Sequence, residues 1–434
     1  MSDQQIISKI LLTKKPIKHN YEVLHLANKN YTSTMEAVIY YGFTPIKPFR
    51  SSNLDVSAAR AVNSIDSIFG NPQNDKKFFD PKEKATLIKL YKNGHFNQLP
   101  GPIMLYQEKA RKQKTGIYQK CGLDIIGVPG SIAEALAIQA TFAILEEEGF
   151  KDIEVELNSV GDKPSREAFE KDMSIYVKNI INQLPEEIRE ICKKNPYFLF
   201  SIDKPEVEQF IEDAPKPISY LTEESRTHLR RILEYLEELN IPYSINEKLI
   251  AHRAIHGHTI FRVSTSQDKK NSKNKDQFSV YGMRYSPLSR RLGYQKSTPA
   301  IGVFICYQKN KEGKRKSPPK NALPKFGFVH LGTNAKLKSL KTIDSLRKNR
   351  IPICHYLTKD KLAGQMSTVE RLKFPYIIIM GQKEALEGTV MIRNTKDYSQ
   401  ETICIDELLP YLKKINSGRK KHTNMKEVCQ DTLS

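Results

Sequence analysis

The chain has 434 residues, enough for two or three domains. Lys+Arg 69 against Asp+Glu 49 gives a net charge of +20, unusual for an enzyme of small neutral metabolites. The excess points to a polyanionic partner, most simply RNA, or to a lysine-rich solvated surface.

With 39% hydrophobic residues, a mean hydropathy of −0.51 and no apolar run near membrane-helix length, no membrane partner is expected. Six scattered cysteines without a CxxC argue against a disulfide framework or a zinc site, and for a reducing, cytoplasmic setting. The opening MSDQQIISKILLTKKP lacks the apolar core of a signal peptide, and Asp3 argues against a transit peptide.

In chain order, residues 1–20 are basic and carry no clear pattern. A helix is predicted over 28–42, ending at Gly42, then a short strand over 43–50 broken by Pro48. Residues 51–78 read as loop. A helix over 82–93 is entered through Asp80-Pro81. A strand at 103–108 runs into KARKQKTG, a basic turn.

Residues 116–150 read as strand, tight turn and long helix. Ile117, Cys121, Leu123, Ile125 and Ile126 make the strand apolar, and Gly127-Val128-Pro129-Gly130 breaks it. Ser131 with Glu134 three residues on predicts a capping box, and Gly149 suits the helix C-terminus. Lys120 and Asp124 fall on one face of the strand, and an internal pair between them is expected.

A half-exposed strand follows at 153–157. Residues 162–246 are mostly helical and interrupt strands on either side, so they read as an inserted helical subdomain. Strands return at 258–263, 278–283 and 299–307, with a polar basic loop between the first two. KNKEGKRKSPPKNALP, at 309–324, is a proline-containing basic linker. Beyond it strands alternate with helices to residue 414, which predicts a small α/β domain with a mainly parallel sheet. Residues 417–434 read as a polar tail.

This order of parts resembles the class II histidyl-tRNA synthetases. The resemblance is carried by LNSVGD at 157–162, DAPKPISYLTEESRTHLRRILEYLEELNIPY at 213–243, TPAIGVFI at 298–305, and FPYIIIMGQKEALEGTVMIRN with IDELLPYL near the end. It implies an α+β fold: an antiparallel-sheet catalytic-like domain over 1–320, with a helical insertion at about 162–247. An anticodon-binding-like α/β domain would follow over 325–416. It also implies a homodimer that activates histidine with ATP and Mg and transfers it to tRNA.

The family's functional positions map onto altered residues. The second-motif arginine falls at Tyr106, and its companion glutamate is kept as Glu108. The family's glutamine becomes Lys120, and its acid is kept in type as Asp124. Its Glu-Gly-Thr falls near Lys82-Glu83-Lys84, with the alignment open by one residue. The arginine and tyrosine pair of its substrate loop become Ala251, Ile255 and His256, and the third-motif arginine becomes Lys309.

Lys82, Lys84 and Lys120 would set positive charge where the family binds a cationic amino group, and a phosphate site without its arginine loses bidentate contacts. The resemblance therefore implies a catalytically impaired paralogue that binds tRNA or other RNA. ATP and Mg would be cofactors only if ligase activity survives. An active divergent histidine–tRNA ligase is the alternative. A regulatory subunit of the ATP phosphoribosyltransferase type ranks third, because that family lacks the C-terminal domain.

His252, His256 and His258 do not share a helix face and have no cysteine near. They read as a degenerate substrate loop, not a metal site. RNA-binding candidates are Lys109, Arg111, Lys112 and Lys114 in the basic turn, with Lys336, Lys338, Lys341, Arg347, Lys348 and Arg350 in or just after the first C-terminal helix. Gln365 stands where the family has a polar anticodon-reading group, with Ala363 and Gly364 in place of lysines.

Overall fold

Two long strands form the spine of the N-terminal part. The computed structural model describes residues 32–48, 55–62, 80–97, 99, 102–113, 116–202, 204–252, 254–265, 278–308 and 325–416. The chain divides into two compact units, Met1–Asn321 and Ala322–Ser434.

In the first unit, helix α1 (Ser33–Ile39) starts at Thr32, whose hydroxyl accepts from the Met35 amide. Strand β1 (Thr44–Pro45) and helix α2 (Val56–Val62) follow. Helix α2 lies in the stretch read as loop. Helix α3 (Pro81–Lys92) begins where proline at the first position and the Asp80 carboxylate on the Lys82 amide make a start signal.

Strands β2 (Ile103–Gln113) and β3 (Gly116–Ile126) pair antiparallel along their full length. The supposed basic turn is therefore mostly strand: Lys109, Arg111 and Lys112 belong to β2, and Lys114 lies outside the described residues.

Next come helix α4 (Ile132–Glu147) and strand β4 (Ile153–Ser159). The helical block is α5 (Lys163–Ile180), α6 (Glu186–Lys194), α7 (Pro205–Glu212) and α8 (Glu223–Glu238). It has its own core, in which Phe169, Met173 and Val177 of α5 pack with Tyr197 and Leu199. Strands β5 (Tyr243–Ile245), β6 (Thr259–Thr265) and β7 (Phe278–Arg284), helix α9 (Leu288–Arg291) and strand β8 (Ala300–Gln308) complete the unit.

The eight strands form one sheet in the order β1-β2-β3-β8-β7-β6-β4-β5. Every neighbouring pair is antiparallel except β1–β2 and β4–β5.

Helix α4 packs on β3 and β8, and its residues from Ile132 to Leu145 are buried on all sides. A helix apolar all round belongs in a core. The capping box does not form: Ser131 has helical backbone and makes no side-chain cap. Glu134 is instead drawn away by buried cationic and imidazole partners. Gly149 does close the helix, with φ +89°.

The second unit runs β9 (Phe326–His330), α10 (Thr333–Lys348), β10 (Ile353–His355), α11 (Leu362–Leu372), β11 (Tyr376–Met380), α12 (Gln382–Glu387), β12 (Thr389–Asn394), β13 (Gln400–Cys404) and α13 (Ile405–Asn416). Its strand order is β10-β9-β11-β12-β13. Only β10, β9 and β11 are parallel; β12 and β13 join antiparallel, because the chain between them is too short for a crossover. Among the described residues, no helix is long and apolar enough to cross a membrane.

Candidate ligand pocket

The register of β2, β3 and β8 decides what the large sheet presents. Asp124 pairs with Leu105 on one side and Gly302 on the other, and Lys120 with Lys109 and Cys306. Directly paired residues share a face. One face therefore carries Gln107, Lys109, Lys120, Gly122, Asp124 and Gly302. The opposite face carries Tyr106, Glu108, Cys121 and Leu123.

Helix α3 lies over the first face. Ala85, Leu87 and Ile88 pack with Leu105, Ile126, Tyr285 and Ala300. That docking brings the first turn of α3 down on Asp124. The Lys84 ammonium lies 2.8 Å from each carboxylate oxygen, with side chains only 6% and 2% exposed. The Tyr285 hydroxyl donates to Asp124 Oδ1 at 2.9 Å. Glu83 stands 3.8 Å from the same ammonium and accepts from the Gln107 side-chain amide.

The floor is cut away to make room. A Cβ on Gly302 would lie 2.9 Å from Asp124 Oδ1 and 3.2 Å from Lys84 Cε, and one on Gly122 would lie 3.2 Å from Gln107 Cγ.

Burial disfavours the charged amine, but Asp124 and Glu83 outweigh it and hold Lys84 above the ordinary lysine range. Burial lifts the Asp124 carboxyl, against the pull of Lys84 and the Tyr285 hydroxyl. Contacts of 2.8 Å to both oxygens are those of an ammonium on a carboxylate.

Lys120 does not pair with Asp124. Four residues along a strand share a face but stand roughly 13 Å apart. The Lys120 ammonium instead sits over the Phe304 ring, 5.7 Å from its centroid.

Tyr106 and Glu108 are not pocket residues either. Tyr106 pairs with Leu123, so strand alternation sends both to the opposite face. There the fully buried Tyr106 hydroxyl donates to Glu108 at 2.6 Å, and Thr32 and Thr34 donate to the same oxygen at 3.1 and 3.0 Å. Lys82 is exposed on α3 and takes no part. Lys309 lies outside the described residues.

Glu83, Gln107 and Tyr285 complete the cluster around Asp124; the sequence touches Glu83 only within the Lys82-Glu83-Lys84 triplet and singles out neither Gln107 nor Tyr285. The signal was the hairpin: Gln113 opposite Gly116 forces Leu105 opposite Asp124, which makes Gln107 the pocket-facing neighbour.

Ala251 and Ile255 are buried in the apolar cluster under α3. His256 is buried, with Nδ1 accepting from the Ala251 amide at 3.4 Å. Burial, then Arg166 and His258, lower its pKa to about 3. Burial, then His228 and Arg284, bring His258 to about 4. Among the described residues, no group of three or more His, Cys, Asp or Glu could hold a metal ion.

Beside the pocket, Arg284 binds Glu134 through two nitrogens, and His228 Nε2 lies 2.9 Å from Glu134 Oε1. Burial opposes ionisation of Glu134, yet Arg284 and His228 hold its carboxyl far below the usual range.

The RNA candidates separate by burial. Lys109 and Lys112 are exposed on β2. Lys338, Lys341 and Lys348 are exposed at helical spacing on one side of α10, and Arg350 is exposed just past it. Lys348 lies 2.9 Å from Asp344.

Three others are engaged within the protein. Lys336 pairs with Asp360. Arg347 is buried and bonded to Asp344 at 3.2 Å. Gln365 is fully buried: its side chain takes the His330 amide and gives to the His330 carbonyl, both at 3.0 Å, and gives to the Lys359 carbonyl at 2.8 Å. It is a backbone clamp without a surface to offer RNA.

Comparison with known proteins bears on both units. The family described as "Anticodon binding domain" matches residues 328–415. A histidine–tRNA ligase of Thermodesulfovibrio yellowstonii is 25% identical over 361 residues, 80% of this chain and 83% of that protein. One of Acholeplasma laidlawii is 26% identical over 349 residues, 77% of this chain and 81% of the relative. Among solved structures, the apo histidyl-tRNA synthetase of S. aureus aligns over 93% of this chain and all of its own, at 19% identity and a TM-score of 0.47.

Proposed function

We propose for this chain, which belongs to the histidyl-tRNA synthetase-like family, the role of an RNA-binding paralogue impaired in histidine activation. The observation that carries the reading is the Lys84 ammonium on both oxygens of Asp124. An acid already held by a lysine ammonium on both oxygens and by a tyrosine hydroxyl on Oδ1 has its charge matched in place, which leaves it little pull on a cationic amino-acid substrate. A second cation brought to the same place would meet like charge in a low-dielectric setting.

The loop supports the same reading. Ala251 and Ile255 give apolar cover where phosphate and imidazole contacts would need charge and hydroxyls. The exposed lysines of β2 and α10 supply the phosphate contacts for RNA.

Histidine-dependent exchange of pyrophosphate into ATP tests impairment. Exchange at background is expected, and robust exchange overturns it. RNA binding is tested by titration against salt: affinity should fall steeply as ionic strength rises, and a flat response overturns phosphate contact.

The histidine–tRNA ligase relatives favour a second reading, an active divergent ligase using ATP, Mg and tRNA. The exchange assay decides between the two. The anticodon-binding match at 328–415 weighs against a phosphoribosyltransferase regulatory subunit. In the proposed role the protein is a cytoplasmic homodimer, with a helical insertion at about 162–247 and a tail over 417–434. Light scattering tests the dimer.

A further inference from the structure

We infer that the junction between the helical insertion and helix α9 holds a binding site for a phosphate group, built on the guanidinium groups of Arg166 and Arg290. It lies outside the Asp124 pocket and does not depend on whether the chain activates histidine.

Three elements meet there. Arg166 stands in the first turn of α5, with its amide on the Asp162 carbonyl at 3.1 Å. Its Nη1 donates to the His256 carbonyl at 3.3 Å. The next residue, Gly257, lies against the start of α9. Its amide donates to the Arg284 carbonyl at 3.0 Å, and a Cβ on it would come within 2.9 Å of Pro287 Cγ. Arg290 follows Pro287 by one turn, with its amide on the Pro287 carbonyl at 3.1 Å. The two arginines thus flank one short piece of chain, 256–257, from different elements.

Arg166 stands apart from the other enclosed arginines. Buried Arg284 is held by Glu134, buried Arg347 by Asp344 and half-buried Arg262 by Glu156. Half-buried Arg166 has a single backbone carbonyl, and its Nε is shut from solvent without a hydrogen-bond partner. Glu167 and Glu170 of the same helix pull on it without pairing, and Glu167 lies 3.3 Å from Lys163 instead. Burial, with Arg290 adding to it, holds Arg166 below the ordinary arginine range against Tyr197, Glu167 and Glu170. A cation taken out of water without a counter-charge costs the fold until an anion meets it.

The missing anion fits a phosphate. A carboxylate presents two oxygens in one plane and suits one guanidinium fork. A tetrahedral phosphate presents oxygens in several directions, so guanidiniums on two elements can both be answered. Nη1 of Arg166 is tied to the His256 carbonyl, and Nη2 has no acceptor among the described residues. Arg290, exposed on α9, supplies the second charge from the solvent side. The phosphate is a link of an RNA backbone or a free phosphate group.

The melting temperature of the full chain is measured against sodium phosphate at fixed pH, with sodium chloride at equal ionic strength and sodium acetate as controls. A saturable rise with phosphate alone is expected. Arg290→Gln should weaken phosphate by about tenfold or more. Arg290→Glu should set the missing carboxylate beside Arg166. Its melt in chloride should rise, and its response to phosphate should vanish.

Phosphate acting no better than chloride overturns the site, as does acetate acting as well as phosphate. So does either variant responding to phosphate like the unaltered chain. A short single-stranded RNA assigns the source. If the site takes an RNA phosphate, free phosphate displaces RNA beyond its effect as salt, and Arg290→Gln shrinks the slope of log affinity on log salt by about 1. If RNA binding ignores both while the melt still responds, the site takes a free phosphate group. Either result keeps the site, and histidine-dependent exchange bears on neither.

Discussion

Arg284 closes on Glu134 from two sides, with Nε 2.5 Å from Oε1 and Nη2 2.7 Å from Oε2, and neither side chain reaches solvent. The other guanidinium contacts go to the Val128 and Gly130 carbonyls at 3.0 and 2.9 Å. The pair thus ties the end of β7 to the turn that starts α4. Removing either partner strands a buried charge. Arg284→Met or Glu134→Gln should each cost about 3–5 kcal/mol in urea unfolding. Because both changes remove one interaction, the double variant should lose less than the sum of the singles.

His258 gives the first unit an acid weakness. Burial, then His228 and Arg284, lower its pKa from 6.5 to about 4. Between those values the unfolded chain takes up a proton that the folded chain refuses, so stability falls as pH falls through the window. The full loss is on the order of 3 kcal/mol. Glu134, held low, acts only below the ordinary carboxylate range and leaves this window alone. Asparagine tolerates the backbone φ of +53° at this position. His258→Asn should flatten the stability difference between about pH 7 and about pH 5. It should not erase it, since His256, lowered to about 3, acts in the same sense.

Gly302 tests how tightly the Asp124 pocket is packed. A methyl there would come within 3.0 Å of the Tyr285 ring as well as 2.9 Å of Asp124. Neither neighbour is the free end of a flexible chain, so Gly302→Ala should cost about 1–3 kcal/mol. Gly364, inside α11 with nothing within 4 Å of an added Cβ, is the control. There alanine should stabilise by about 0.5–1 kcal/mol. Thermal melts of the two variants should move in opposite directions.

What the sequence made legible follows from periodicity. The strand–turn–helix at 116–150 and the helical block could be read because long apolar patterns outweigh local noise. Helix α2 was missed because seven residues are too few to establish a period. Its start signal, the Asp55 carboxylate accepting from Ser57 and the Ala58 amide, is buried in a polar stretch. The acid of the pocket was visible, but its partner was not. Lys120 is four residues away and on the right face, whereas Lys84 is forty away and reaches Asp124 only through the docking of α3 on the sheet. Tyr106 came to the pocket only through its place in the family's second motif, whereas the register across the hairpin puts it on the face opposite Asp124.

Gln365 and Lys341 separate structure from phosphate contact in the second unit. Gln365 answers three backbone groups in a site closed to solvent. In Gln365→Ala the His330 amide and carbonyl lose their partner, at about 1–3 kcal/mol for each buried group left unmet. Unfolding of this unit should shift clearly, while RNA affinity measured well below its melting point should not. Lys341→Ala should behave in reverse. It is exposed on α10, so stability should stay within about 0.5 kcal/mol. If its ammonium meets a phosphate, affinity should fall across RNA sequences alike, and the slope of log affinity on log salt should shrink by about 1. A loss of slope in Gln365→Ala instead would return that residue to the RNA-binding surface.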